Sequence, residues 1–333
     1  MRIAINGFGR IGRNFLRTIF ADPEAQKKLN VVAINIGPAS LENVAHMFKY
    51  DTLMGTFKGK VDFQDSTLSI NDHKIVIVAE SDPAKLDWSK FDIDWVVEAS
   101  GRYTGAKFIN VHQNAGAKYT LITAPCKGEV TTIVPGVNCD SFDKKKDHIV
   151  SLASCTTNAI MPMLKVLHDK FQIEQGFMTT IHAYTNTQVL LDVESDDLRR
   201  ARAAALNIIP TSTGASRMID QIMPSIKGRI QAMAIRVPVA KVSLIDLVIK
   251  TKKTVDEKKV NQAFFDASQH DLKGILSTCN EPLVSSDYSG CDYSVVIDTP
   301  LTQAEGNLCK TFGWYDNEWG YSMRLKDFLM KVS

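Results

Sequence analysis

The segment Ser154-Cys155-Thr156-Thr157-Asn158-Ala159 is where residue types and spacing speak most directly of chemistry. A β-type run from Ile149 to Leu152 leads into it. Ile160, Leu164, Leu167 and Phe171, spaced four, three and four apart, carry a helix away from it. Cys155 therefore sits at a strand-to-helix turn, in the first turn of a helix. Unpaired amide N–H groups and the helix dipole there favour thiolate over thiol. Small hydroxyl residues on both sides leave the sulfur accessible and offer hydrogen bonds to an anion. A buried structural cysteine capped by Ser and Thr is the other reading of this segment taken alone.

A partner for such a thiol comes later. The β pattern Gly176 to Thr185 sets His182 and Tyr184 on one face, opposite Ile181 and Ala183, and Thr185, Asn186 and Thr187 end it. A histidine in a strand is often a satisfied core residue. With a candidate thiolate in the same domain, it becomes a candidate general base, and a Cys–His pair supplies both nucleophile and base. Arg199-Arg200-Ala201-Arg202 and then Pro210-Thr211-Ser212-Thr213-Gly214-Ala215 place guanidinium, hydroxyl and backbone donors together, as anion sites require. Arg236 lies inside the apolar strand Ala232 to Val237, where a charge needs an ion pair or an anionic substrate. Two anion sites beside one thiolate suit a phosphorylated substrate plus phosphate.

These residues need a scaffold. Arg2 to Asn6 reads as a strand, Gly7-Phe8-Gly9-Arg10-Ile11-Gly12 follows, and Ile11, Phe15, Ile19 and Phe20 line one face of a helix. This is G-x-G-x-x-G with a strand before and a helix after. Gly7 permits the turn, Gly9 lets a pyrophosphate approach the backbone, and Gly12 lets helix pack on strand. Strand Val31 to Asn35 completes a βαβ unit, and further strands at Ile75–Val78, Trp95–Glu98 and Tyr119–Thr123 predict an open doubly wound sheet of α/β class. Glu98-Ala99-Ser100-Gly101, at a strand end, reads as a cofactor-facing loop or a plain turn. The second half, with strands Val242–Lys250 and Tyr293–Thr299, predicts a mixed sheet packed on helices.

Composition sets the outer limits. The 333 residues suffice for two domains, and 44% hydrophobic with 23% charged residues is globular usage. A net charge of +2 argues against nucleic acid as a specific partner, and no stretch approaches the roughly 20 apolar residues of a membrane span. Six scattered cysteines, without C-x-x-C or zinc-finger spacing, and an N-terminus that opens into a strand predict a cytoplasmic protein without signal peptide or metal site.

From end to end the chain resembles the phosphorylating glyceraldehyde-3-phosphate dehydrogenases. The blocks are INGFGRIGRN with residues 5–14, KYDT 49–52, ASCTTN 153–158, HAYTN 182–186, DLRRARAA 197–204, NIIPTSTGA 207–215, RVP 236–238 and WYDNEWGYS 314–322. The resemblance implies a Rossmann domain over 1–154, joined by the C-terminal helix 317–333, and an α+β catalytic domain over 155–316, assembled as a homotetramer. It implies that Cys155 attacks the aldehyde and that His182 handles the protons. Inorganic phosphate would lie against Ser154, Thr156, Thr213 and Gly214, and the substrate phosphate against Thr185, Arg200 and Arg236, with some sharing. NAD would lie against Arg10 and Ile11, with Asn317 on its carboxamide and Thr123 a hydroxyl on the cofactor side.

The departures cluster at one end of the cofactor. Ile36 stands where NAD-dependent members carry Asp, Val193-Glu194 replaces a Leu-Pro pair, and Ser81 stands where many members carry a basic residue. NADP is therefore admitted beside NAD. Erythrose-4-phosphate dehydrogenase shares the cysteine block but typically departs from HAYTN and TSTGA. Aspartate-semialdehyde dehydrogenase does not account for these blocks. A non-enzymatic interaction protein on this scaffold would be expected to lose Cys155, His182 or Arg236, and all three are present.

Overall fold

A computed structural model describes every residue except Ala106, Lys107, Ile109, Lys127 and Glu129. The chain divides into two compact units, one of residues 1–133, 140–153 and 322–333, the other of 134–139 and 154–321.

The first unit is built on a sheet of nine strands in the order β3-β4-β5-β2-β1-β6-β7-β9-β8. Their ranges are β1 Arg2–Asn6, β2 Asn30–Asn35, β3 Val61–Gln64, β4 Thr67–Ile70, β5 His73–Val78, β6 Trp95–Glu98, β7 Tyr119–Ile122, β8 Thr131–Thr132 and β9 Ile149–Ser151. Strands β5 through β8 in that order run parallel, with β1 between β2 and β6. The central strands read as near-continuous apolar runs because both faces are covered, and Ile3, Ala4 and Ile5 are fully buried. The antiparallel meander β3-β4-β5 was absent from the sequence expectation. Its short strands carry too few alternations to signal themselves, although Asp65 and Ser66, both at positive φ, form the two-residue turn such hairpins favour.

Helices α1 Arg10–Phe20, α2 Pro23–Lys28, α3 Asn43–Lys49 and α4 Val111–Asn114 belong to this unit. Helix α1 is buried over most of its circumference, Arg13, Asn14 and Arg17 included, rather than along one stripe. Arg17 can be interior because its guanidinium donates to the carbonyls of Phe48 and Gly55 at 2.6 and 3.0 Å.

The second unit contains α5 Cys155–Phe171, β10 Ile173–Ala183, β11 Ile209–Ser212, α6 Ala215–Ile222, β12 Ile230–Val237, β13 Ser243–Thr251, α7 Glu257–Gln269, β14 Leu276–Cys279, β15 Val295–Asp298, β16 Gln303–Glu305 and β17 Leu308–Tyr315. Helix α8 Trp319–Val332 begins here and ends in the first unit. The sheet order is β11-β12-β10-β13-β17-β15-β14, with β16 on β17. It is mixed, as expected: β10 pairs parallel with β12 and antiparallel with β13. One core joins α5 (Ile160, Leu164, Leu167) to the sheet (Met178, Ile245, Leu247) and to α7 (Val260, Phe264). Strand β10 starts at Ile173 and stops at Ala183, so Tyr184 and Thr185 lie beyond it, and β13 starts after Val242. Val242 is excluded from β13 because its φ of +67 is not extended backbone.

Candidate active site

In the second unit, Ala153 and Ser154 prepare the turn that presents Cys155. Ala153 takes φ +52, an uncommon conformation for a residue with a Cβ, and is fully buried. Ser154 is the N-cap of α5, its hydroxyl accepting from the Thr157 amide at 3.1 Å. Cys155 Sγ lies 3.6 Å from His182 Nε2, within hydrogen-bonding range for sulfur. Strand β10 delivers that imidazole, which is buried.

The electrostatics differ from the sequence expectation. A helix N-terminus by itself favours thiolate, yet burial pushes the Cys155 thiol up, outweighing the nearby Arg236 cation and the hydrogen bonds from the Thr156 region. Burial, then the charge of Arg236, drive His182 down to about 3. Burial thus works against both charged forms, thiolate and imidazolium, while the Arg236 cation favours the thiolate and disfavours the imidazolium.

Tyr315 supports the pair from below. Its hydroxyl meets Thr156 Oγ1 at 3.0 Å and Thr180 Oγ1 at 2.7 Å, and its ring stands edge-on to His182 at 5.9 Å. The Thr156 hydroxyl is thus turned to the interior, leaving its backbone as the part able to meet an anion. Arg236 and His182 are paired residues on β12 and β10, and the Arg236 Nη1 contacts His182 Nδ1 at 2.7 Å and Ala183 O at 2.9 Å. The Arg236 Nε is buried without a hydrogen-bond partner, as an anion-seeking group would be. Arg200 is held differently, by Thr211 Oγ1 at 2.9 Å and Ser212 O at 3.1 Å, with Asp197 accepting from Thr211. Thr213 Oγ1 accepts from the Ala215 amide and Gly214 caps α6, while the Thr185 hydroxyl meets that of Thr187 at 3.0 Å.

Sequence reading passed over Ser243. Its Oγ accepts from the Ala183 amide and donates to Asn317 Oδ1, both at 3.1 Å. The Asn317 amide is thereby oriented, its Nδ2 left as the free donor end. Ser243 follows Val242, a β-branched residue at φ +67, a conformation that costs on the order of 1–3 kcal/mol and persists only where the fold imposes it.

The first unit carries a separate cavity of about 500 Å³, walled in part by Gly7, Gly9, Ile36, Ser81 and Ser100. Gly7 has φ +96, and a Cβ there would sit 2.5 Å from Ser100 Cα. A Cβ on Gly12 would sit 2.3 Å from Gly7 O, whereas around Gly9 there is open space. Those constraints match a loop whose backbone must meet a pyrophosphate at the start of α1, so the residues fit a dinucleotide. The side chain of Arg10 pairs with Asp51, which also accepts from the Leu53 and Met54 amides. The Thr123 hydroxyl donates to Glu98 O at 3.0 Å. Glu80 and Arg102, which sequence reading did not single out, also line the cavity.

Beneath the loop lies a buried polar network. The Glu98 carboxylate accepts from Asn6 Nδ2 at 2.6 Å, His112 Nε2 at 2.8 Å, the Ser100 amide at 2.8 Å and Ser100 Oγ at 2.5 Å. Trp88 Nε1 donates to His112 Nδ1 at 3.1 Å, and an indole can only donate, so His112 presents N–H to Glu98. The sequence marks only its Glu98–Ser100 end, since Asn6 and His112 lie 92 and 14 residues from Glu98.

Comparison with known proteins adds the following. Residues 1–106 match the family described as glyceraldehyde 3-phosphate dehydrogenase, NAD binding domain, and residues 154–317 its C-terminal domain. Glyceraldehyde-3-phosphate dehydrogenase 1 of Bacillus cereus is 46% identical over 327 residues, covering 98% of this chain and 96% of its own. The Geobacillus stearothermophilus enzyme is 45% identical over 334 residues, covering 100% and 98%. The chloroplastic A form of Zea mays is 46% identical over 329 residues, covering 98% and 81%.

Proposed function

The chain belongs to the glyceraldehyde-3-phosphate dehydrogenase family, and from that premise we propose how its own residues carry the family's reaction. It is an oxidoreductase that converts glyceraldehyde 3-phosphate and inorganic phosphate to 1,3-bisphosphoglycerate, and the names of its relatives do not favour erythrose 4-phosphate as substrate.

The observation that carries the mechanism is the 3.6 Å approach of Cys155 Sγ to His182 Nε2 at the start of α5. Cys155 adds to the aldehyde carbon, and His182 takes the thiol proton. The amide at the start of α5 suits the resulting oxyanion. A nicotinamide held in the first unit would supply the hydride acceptor, which would leave Cys155 carrying the acyl group as a thioester. Inorganic phosphate then attacks that carbonyl and releases the thiolate. Ser154, the backbone of Thr156, Thr213 and Gly214 hold the attacking phosphate, and Thr185, Arg200 and Arg236 the phosphate of the substrate. Asn317, oriented by Ser243, offers Nδ2 to the carboxamide oxygen.

For the cofactor we propose a relaxed choice between NAD and NADP. Ile36 removes the acid from the end of β2, and Arg102 brings a cation to the same cavity, while Glu80 keeps an acceptor there for ribose hydroxyls. Arg10 and Ile11 meet the pyrophosphate through the start of α1. Leu190, Leu191, Leu198, Leu206 and Ile208 are all more than two-thirds exposed within one short stretch, which supports assembly with further copies as a homotetramer. Six free thiols suit a reducing, cytoplasmic setting, and among the described residues no helix is long and apolar enough to cross a membrane.

The test is reduction of NAD and of NADP by glyceraldehyde 3-phosphate, with and without phosphate. Sustained phosphate-dependent turnover, abolished in Cys155→Ser, is expected. Turnover that ignores phosphate would refute the thioester step, and an efficiency ratio favouring NAD by several hundredfold would refute the relaxed cofactor choice.

A further inference from the structure

Two consecutive residues between β17 and α8 are gripped from one short segment at the start of β13. Lys241 Nζ pairs with Asp316 Oδ2 at 2.9 Å, and Ser243 Oγ donates to Asn317 Oδ1 at 3.1 Å. Val242, at φ +67, lies between the two grips. The Asp316 carboxylate has further donors on both oxygens. Oδ2 also accepts from the Gly290 amide at 2.7 Å, and Oδ1 accepts from the Glu318 and Trp319 amides at 3.0 and 2.9 Å. The Lys241 and Asp316 side chains are only 7% and 0% exposed, so this is a buried ion pair.

A buried ion pair is a poor source of stability, because desolvating two charges offsets most of their attraction. Four converging donors do supply direction. A carboxylate held by an ammonium and three backbone amides fixes where its own residue sits, and with it the next residue in the chain. That next residue is Asn317. We propose that Lys241 is a positioning residue for the nicotinamide. By anchoring Asp316 it sets the backbone of Asn317, and Ser243 then sets the Asn317 amide, so that Nδ2 stands where the carboxamide arrives. The strained backbone of Val242 persists because the chain is held on both sides of it. This role rests on the reading of Asn317 as a holder of the carboxamide.

The loop over residues 290–293 braces the same turn. Gly290 presents its amide at φ +81, a conformation that favours glycine. Asp292 Oδ1 accepts from Trp319 Nε1 at 2.6 Å, and a Cβ on Gly320 would sit 2.5 Å from Tyr293 O. Asn317 is itself buried, so packing prevents its side chain from swinging to recover a shift in its backbone. Arg200 and Arg236 are held by other residues, Thr211 and Ser212 for the first and Ala183 for the second. Loss of the Lys241 ammonium therefore reaches the cofactor end of the site and spares the phosphate end.

The experiment is a double-mutant cycle read on the Kd for NAD, by fluorescence titration of the full chain without substrate. Asn317→Ala is expected to weaken binding about tenfold, the worth of one good hydrogen bond to the carboxamide. Lys241→Met removes the charge and keeps most of the length. It is expected to weaken binding about fivefold alone but less than about twofold in the Asn317→Ala background, because it acts through Asn317. Steady-state kinetics are expected to show an unchanged KM for glyceraldehyde 3-phosphate in Lys241→Met. A merely structural lysine would cost the same factor on both backgrounds. Equal losses on both, no loss in Lys241→Met alone, or a KM for glyceraldehyde 3-phosphate raised by the same factor overturns the proposal. No loss in Asn317→Ala overturns the reading of Asn317, and the role of Lys241 with it. Three backbone amides still face Asp316 in Lys241→Met, so the variant is expected to fold. Should circular dichroism show otherwise, Lys241→Met/Asp316→Asn, which removes both charges, takes its place in the cycle and is judged by the same outcomes.

Discussion

Replacing Glu98 by Gln tests whether the buried network beneath the dinucleotide loop holds that loop. The native carboxylate receives four donors, two from Ser100 and one each from Asn6 and His112. A glutamine has one acceptor oxygen. Its better orientation keeps that oxygen on Asn6 and His112 and turns the NH₂ towards Ser100. The Ser100 hydroxyl can rotate and accept, but the Ser100 amide is left facing another donor. One orphaned buried donor costs about 1–3 kcal/mol, and exchanging charge-assisted for neutral hydrogen bonds about another 1 kcal/mol. The sum, about 3 kcal/mol, corresponds to a melting transition lowered by about 6–12 °C in a domain of this size. The damage falls on Ser100, which packs on Gly7, so dinucleotide affinity should fall about tenfold if half of the loss is borne by the loop. Calorimetry and a fluorescence titration with NAD measure both. A melting temperature within about 2 °C of the native one, together with an unchanged Kd, would refute the claim that four donors converge on this carboxylate.

Three further outcomes are expected. His182→Asn should lower kcat by about 10²–10⁴ with little change in NAD binding, since a general base is lost while the first unit is untouched; steady-state kinetics and a NAD titration check this. Ile36→Asp should cut the efficiency with NADP at least about tenfold relative to NAD, by placing a carboxylate where a 2′-phosphate would lie; the ratio of kcat/KM values reports it. Asp22 caps α2 and pairs with Lys326 of α8 at 2.7 Å, and that hydrogen bond leads the causes holding its carboxyl below the usual range. Its contribution is therefore present above the unfolded Asp value and lost as pH falls through the folded one. Asp22→Asn should cost about 1 kcal/mol at pH 7, part of it screened because the pair is partly exposed, and progressively less below about pH 4; denaturant midpoints across that range decide.

The sequence by itself determined the elements that depend on short-range pattern. The glycine loop needed a particular turn, the apolar runs needed a sheet covered on both faces, and Ser154 before an apolar-periodic run needed a helix that begins at Cys155. Those signals lie within about a dozen residues, where backbone sterics and capping act. The hairpin β3-β4 escaped because strands of four residues offer too little alternation to read. Proton states and side-chain orientation could not be read at all. Cys155 at a helix start argues for thiolate, yet the surrounding core removes water and works against that preference. The pairing of His182 with Arg236 is fixed by the register of β10 on β12, across 54 residues of chain. The orientation of Asn317 depends on Ser243, 74 residues before it, and the acceptor state of Glu98 on an indole that only donates. Hydrogen bonds are directional and burial is collective, so which group holds a proton is decided only once distant strands have packed.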